Sequence, residues 1–187
     1  TPASERLIEI VRTNTDRLTT IVNDILDLEK ISSGEVQFEY ENVDMVQIIE
    51  DAVQEMSPFA LTHENKLVID APEAPVMVHA DAMRTRQVLA NLISNACKYS
   101  FENTEILIKT ERLDNLAIVY VQNTGVGVPE SFKSRIFQAF SQADGSDTRA
   151  KGGTGLGLNI TRQIISRHNG QIGFKSVANG VTVFWFT

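Results

Sequence analysis

At 187 residues with 42% hydrophobic content, the chain has material for one ordinary domain with a real core, or for one domain and an appendage. Its formal net charge of −7 lacks the basic excess of a nucleic-acid footprint and disfavours anionic membrane surfaces. A single cysteine, Cys97, excludes a disulfide framework and suits a reducing, cytoplasmic compartment, while three scattered histidines give no zinc-type spacing.

Thr1-Pro2 is a good N-cap and first-turn pair and Gly34 a good stop, which predicts a helix of about 32 residues between them. Leu7, Val11, Asn14, Leu18, Ile21, Ile25 and Leu28 follow at alternating steps of four and three, a heptad seam with one polar position. No second long helix follows to cover that seam, so its partner is expected outside the chain or in another subunit; a lone surface helix with an apolar stripe is the alternative. No apolar run approaches the ~18 residues of a membrane span, and no signal peptide opens the chain. Lacking an initiator Met and ending in an apolar strand, it reads as a piece of a longer protein with room elsewhere for membrane or sensory segments.

After Gly34 the texture changes to short elements. Residues 35–41 alternate like a strand, and 43–59 have helical spacing through Val46, Ile49, Val53 and Met56. Residues 66–71 and 76–80 read as a strand pair around Pro72 and Pro75. Asp81 caps a helix through Tyr99 whose Met83, Val88, Leu89, Leu92, Ile93 and Ala96 face inward. Strands are expected over 105–110, 116–121, 172–177 and 181–186. Between them, 129–153 is long and polar after a short helix around 132–137, the texture of a lid. Leu156, Ile160, Ile164 and Ile165 mark one more helix, over 156–169.

Four motifs carry the chemistry. In Lys151-Gly-Gly-Thr-Gly-Leu-Gly-Leu158, glycines offer backbone amides to phosphate and open the N-terminus of a helix whose dipole favours anions. It is neither a P-loop, which needs Lys-Ser or Lys-Thr after the last glycine, nor a dinucleotide fingerprint, whose third glycine is replaced by Leu158. A flexible linker is the plainer alternative, although such linkers do not run straight into an amphipathic helix. Asn91, Asn95 and Lys98 stand four and three residues apart, so they share one helix face, suited to a Mg²⁺ carried by phosphates; a solvated polar face has the same spacing. Asn123-Thr-Gly125-Val-Gly127-Val-Pro129 permits a tight turn and close ligand approach. Phe137 and Phe140 could anchor the lid, or be plain core.

In this order the motifs closely resemble the N, G1, F and G2 boxes of the ATP-binding catalytic domain of sensor histidine kinases, within the wider GHKL ATPase group. Ile21-Val-Asn-Asp-Ile-Leu-Asp-Leu-Glu-Lys-Ile31 looks like the second helix of the preceding dimerisation and histidine-phosphotransfer domain. The resemblance implies an α+β fold, a two-layer α/β sandwich of the Bergerat type with a mixed sheet and helices on one face, behind a long N-terminal helix. Residues 1–33 would be the partial dimerisation domain and 34–187 the catalytic domain. ATP and Mg²⁺ would lie between the helix at 81–99 and the lid. Asn95 would contact the metal, with Asn91 and Lys98 near metal and phosphates, Asn95 and Lys98 serving catalysis. Tyr99 would lie beside base or ribose, and Gly125 and Gly127 would shape the adenine pocket. Phe140 would help bind the nucleotide by anchoring the lid against the site, Gly153, Thr154, Gly155, Leu156 and Gly157 would present amides to the phosphates, and Thr182 would join the adenine pocket. Arg149 and Lys151 would meet the γ-phosphate or stay solvated. The implied partners are a response-regulator receiver domain and a second copy of the chain joined through the first helix.

Two departures stand out. The family's G1 box opens with an aspartate that accepts from the adenine amino group, and here Asn123 occupies that place. Its amide oxygen accepts without charge, which weakens the bond by about 1–2 kcal/mol, or roughly five- to thirtyfold in affinity. The second departure is the missing acceptor histidine. His63 precedes Glu64 but lies deep in the catalytic portion, His79 sits in a strand and His168 at a helix end, so no phosphoacceptor is expected in the chain. Asn123, natural or engineered, equally suits a degenerate relative that signals by weak nucleotide or partner binding. A GHKL ATPase of DNA repair or topology fits neither the acidic charge nor the upstream heptad helix.

Overall fold

The computed structural model describes residues 2–142 and 153–187. Helix α1 spans Pro2–Ser33, and Gly34 ends it with a left-handed φ of 78° that lets the chain turn back on the helix. The chain then runs β1 Glu41–Asp44, α2 Met45–Thr62, β2 Lys66–Asp70, β3 Met77–Ala80 and α3 Ala82–Tyr99. It continues through β4 Glu105–Leu113, β5 Leu116–Gly125, the short α4 Glu130–Lys133, α5 Gly157–Arg167, β6 Ile172–Ser176 and β7 Gly180–Phe186.

The main sheet has the order β2-β4-β5-β7-β6, with β2 parallel to β4 and the other neighbours antiparallel, so it is mixed as expected. Side chains alternate across it. Ile106, Ile108, Val119, Val121, Phe184 and Phe186 point to a buried face, where they meet Ile49 and Ala52 of α2, Leu89, Leu92 and Ile93 of α3, and Ile160 and Ile164 of α5. Helices on one face of one sheet make the two-layer sandwich.

Asp81 caps α3 by accepting from the Arg84 amide at 2.9 Å, and its second oxygen accepts from the Glu39 amide at 3.0 Å. The Asp81 amide in turn donates to His168 Nε2 at 3.0 Å while His168 Nδ1 lies 2.9 Å from the Ile164 carbonyl. That pair of partners fixes the neutral tautomer with its proton on Nδ1, so His168 is the satisfied structural histidine expected at a helix end.

Four expectations are corrected. Residues 35–40 form no strand: with no neighbour to pair with, Val36 donates to the Lys30 carbonyl and Glu39 to Asp81, and the strand begins only at Glu41. The alternation there reflects Val36 and Phe38 packing on the core. The stretches at 66–71 and 76–80 do not pair with each other; β2 joins β4 in the main sheet, and β3 pairs with β1 in a separate antiparallel ribbon. The helix expected at 43 starts at Met45, because Asp44 caps it by accepting from the Val46 amide, and it continues past Pro58 to Thr62. Strand β5 also outruns its expected end at 121, carrying Asn123 and Gly125 within the sheet.

Among the described residues, α1 meets the rest of the chain through its second half, from Thr20 to Ser33. Ile31 is buried, Leu28 packs on the core, and Gln87 donates to Asp27 at 2.9 Å. Arg167 donates to the Ile31 carbonyl at 2.6 Å. A chain of hydrogen bonds also leaves this end: Ser32 Oγ to Gln163 Oε1, Gln163 Nε2 to Asn159 Oδ1, and Asn159 Nδ2 to the Phe137 carbonyl, at 3.0, 3.1 and 2.9 Å. Of the seam, Leu7, Val11, Leu18 and Ile25 remain exposed, joined on the same side by Val22 and Leu26.

Candidate functional site

A cavity of about 340 Å³ opens between α3, the segment before α5, and the ends of β5 and β7. Asn91, Asn95 and Lys98 line it together, so the spacing of four and three does place them on one wall. Asn91 Nδ2 reaches the Gly157 carbonyl and Thr161 Oγ1, each at 3.4 Å, linking this helix to the start of α5. Burial pushes the Lys98 ammonium below its ordinary pKa, and the Asp24 carboxylate opposes that shift. Tyr99 also lines the cavity, its phenol raised by burial. Neighbouring Cys97 is buried, its thiol pushed up by burial to about 11, which makes it inert at neutral pH.

The floor comes from the sheet. Asn123 and Thr182 face each other in register on β5 and β7, both nearly fully buried, and both line the cavity. Thr182 Oγ1 lies 2.7 Å from Ser176 Oγ, which accepts from the Val128 amide at 2.9 Å. That bond fixes the turn after β5. Gly127 in this turn has a φ of 78°, and a Cβ there would meet the Val177 carbonyl at 2.5 Å. Val128, Phe132, Ile136 and Phe184 add an apolar side that suits a flat ring.

Gly153, Thr154, Gly155 and Gly157 all line the cavity. Thr154 Oγ1 donates to Asp24 Oδ2 at 2.8 Å and accepts from the Leu156 amide at 3.0 Å, so a side chain holds the turn that leads into α5.

Three expected contributors stand apart from the cavity wall. Leu156 is a core side chain whose amide is already taken by Thr154. Phe140 is 63% exposed, whereas Phe137 packs with its ring edge-on to Phe174 and Phe184. Gly125 acts one layer behind. A bridge joins it to Ser100, Val126 donates to the Tyr99 carbonyl, and Phe101 donates to the Thr124 carbonyl, fastening the end of α3 to the end of β5. Arg149 and Lys151 lie outside the described residues. Of the three histidines, none lines the cavity. His63 closes α2, where its Nδ1 meets the Phe59 carbonyl.

Asp24 and Thr20 of α1 were not among the expected site residues, yet both line the cavity. Burial raises the Asp24 carboxyl above its ordinary pKa, against the lowering effect of its Thr154 hydrogen bond. No local pattern marks a helical aspartate as facing a cavity built by residues 67 and more positions later; only tertiary placement does.

Fold and site together define an ATPase-type domain behind a long helix, and residues 80–187 match the model of histidine kinase-, DNA gyrase B-, and HSP90-like ATPases. The chain belongs to that family, among the sensor histidine kinases. It is 32% identical over 191 residues to the signal transduction histidine-protein kinase BarA of Escherichia coli strain K12, covering 100% of this chain and 21% of that protein. Among solved structures, full-length ShkA in complex with AMPPNP matches with a TM-score of 0.82 at 26% identity, over 100% of this chain and 38% of that one. The histidine kinase ThkA in complex with the response regulator protein TrrA matches at 0.74 and 28% identity, over 96% and 50%. The chain thus spans about a fifth of the length of the curated relative.

Proposed function

We propose that this chain is the Mg-ATP-binding catalytic part of a sensor histidine kinase, placing a γ-phosphate for attack by a histidine on an acceptor helix outside residues 1–187. The carrying observation is the shared cavity of the Asn91, Asn95 and Lys98 face and the glycine-rich turn into α5, two features that one polyanion explains together. Bound AMPPNP in ShkA supports the nucleotide. Adenine would rest against the apolar side and meet Asn123 and Thr182, with the phosphates toward Thr154, Gly155 and Gly157.

The donor set fits Mg²⁺ of a particular kind. No cluster of three acidic, histidine or cysteine side chains that could hold an ion occurs among the described residues, whereas Asn91 and Asn95 stand one turn apart at the cavity wall. Neutral carboxamides suit a hydrated Mg²⁺ that arrives on phosphates. Bound there, the ion would neutralise phosphate charge; Lys98 would add a second positive centre, and Asn91 and Asn95 would orient the polyanion. Asn95→Ala is expected to weaken Mg-ATP binding about tenfold while leaving the far-ultraviolet circular dichroism unchanged. In a longer chain that includes the acceptor helix, labelled ATP should yield an acid-labile, base-stable phosphoryl group that Asn95→Ala abolishes. Failure of both outcomes favours a non-catalytic relative, the reading that Asn123 suggests.

Residues 1–33 are then the second helix of the dimerisation and phosphotransfer domain, 34–187 the catalytic domain, and the exposed seam the contact with a second copy. No helix among the described residues is long and apolar enough to cross a membrane, and a cytoplasmic site of action accords with the lone Cys97. ThkA bound to TrrA supports a receiver domain as the next phosphoryl carrier. Half of the expected four-helix bundle is absent, so self-association should be weak. Sedimentation should show a dimer growing at high micromolar concentration and lost in Leu18→Glu; a strict monomer there would speak against the seam as a subunit contact.

A further inference from the structure

The Asp24 carboxylate projects from α1 into the cavity wall and takes the Thr154 hydroxyl at 2.8 Å. It also acts electrostatically on Lys98 from across the site. Both groups line the cavity, where, on the nucleotide reading, the terminal phosphate would lie. A carboxylate and a phosphate drawn to the same hydroxyl and the same ammonium repel each other. At a part-buried boundary, like charges about 5 Å apart change an affinity by tenfold or more.

Asp24 is carried to this place by the docking of α1. That docking rests on a short stretch, with Leu28 and Ile31 against the core, Gln87 on Asp27, Arg167 on the Ile31 carbonyl and Ser32 on Gln163. The carboxylate is therefore delivered to the cavity by an element that belongs to a different part of the molecule.

We propose that Asp24 sets which nucleotide the docked form accepts: it occupies the place of a γ-phosphate, so that this arrangement selects ADP over ATP and full ATP affinity requires α1 to move away. The inference rests on the nucleotide reading of the cavity. It adds a specificity residue outside the four motifs and gives the upstream helix a direct charge contact with the substrate.

The experiment is a calorimetric titration of the chain and its variants with Mg-ATP and Mg-ADP. Asp24→Asn, which keeps the shape and a hydrogen-bond acceptor, should tighten ATP about tenfold and ADP less than about threefold. Asp24→Glu should retain the parent's preference. Glu29→Gln, an equal charge change on an exposed position of the same helix, should alter neither affinity. Equal tightening of both nucleotides in Asp24→Asn would overturn the proposal, because it would make α1 a plain obstruction while the site remained a nucleotide site. An unchanged ATP-to-ADP ratio would overturn it too. Absence of nucleotide binding in the parent and every variant would remove the site reading itself, and the Asp24 assignment with it.

Discussion

Gly125→Ala should lower the melting temperature by about 6–12 °C, the equivalent of about 3 kcal/mol in a chain of this size. A Cβ at this position would stand 1.9 Å from the Tyr99 carbonyl oxygen and within 2.9 Å of Ser100 Cα, atoms of the backbone that no rotamer change can clear. The α3 terminus and β5 must separate to admit it, which breaks the bridge to Ser100 and the bond from Val126 to Tyr99. Because Tyr99, Lys98 and Asn95 ride on that terminus, nucleotide affinity should fall with stability. Gly153→Ala supplies the contrast: a Cβ there meets nothing within 4 Å, so its melting temperature should stay within about 1 °C of the parent. Calorimetry of both variants decides it. A Gly125→Ala protein as stable as the parent would mean that the strand and helix ends are not held at this separation.

Asn123→Asp should have the largest effect on binding, tightening ATP about five- to thirtyfold with little change for GTP. Asn123 is 5% exposed at the cavity floor, so a carboxylate introduced there is poorly solvated until an amino group pairs with it. The same substitution should therefore lower the stability of the unliganded protein while raising its affinity, and the added nucleotide should restore the melting temperature. The opposite signs are the signature to look for. Equal gains for ATP and GTP, or no gain for ATP, would show that Asn123 does not read the base.

Much of this was legible in the sequence because its causes are local. Asp81 and the inward row from Val88 to Ala96 announce α3, although Met83, expected inward as well, is 60% exposed, and the Asn91, Asn95 and Lys98 face follows from helical geometry alone. What was not legible depends on partners distant in the chain. Alternation over 35–41 reports that Val36 and Phe38 are half-buried, and such a pattern carries no information on whether a neighbouring strand exists to bond with. The strands flanking Pro72 and Pro75 look like a hairpin, yet β2 pairs with a strand 39 residues later, in parallel, and a parallel partner leaves no turn signal. Phe137 and Phe140 have equal claims by spacing, and only the position of Phe174 and Phe184 separates them.

The hydrogen-bonded row from Ser32 through Gln163 and Asn159 to the Phe137 carbonyl has a sense of direction, every donor pointing the same way. Each carboxamide has one donating and one accepting end, so the orientation of one dictates the orientation of the next. Were Ser32 withdrawn by a turn of its helix, Gln163 would be at liberty to reverse end for end. Asn159 would then face an oxygen where it had an N–H donor, and on reversing it would set its own oxygen against the Phe137 carbonyl. That carbonyl stands in the chain between Ile136 and Ser141, both of which line the cavity. A twist in the incoming helix would thus reach the Phe137 carbonyl as a repulsion between two oxygens, a signal carried by polarity.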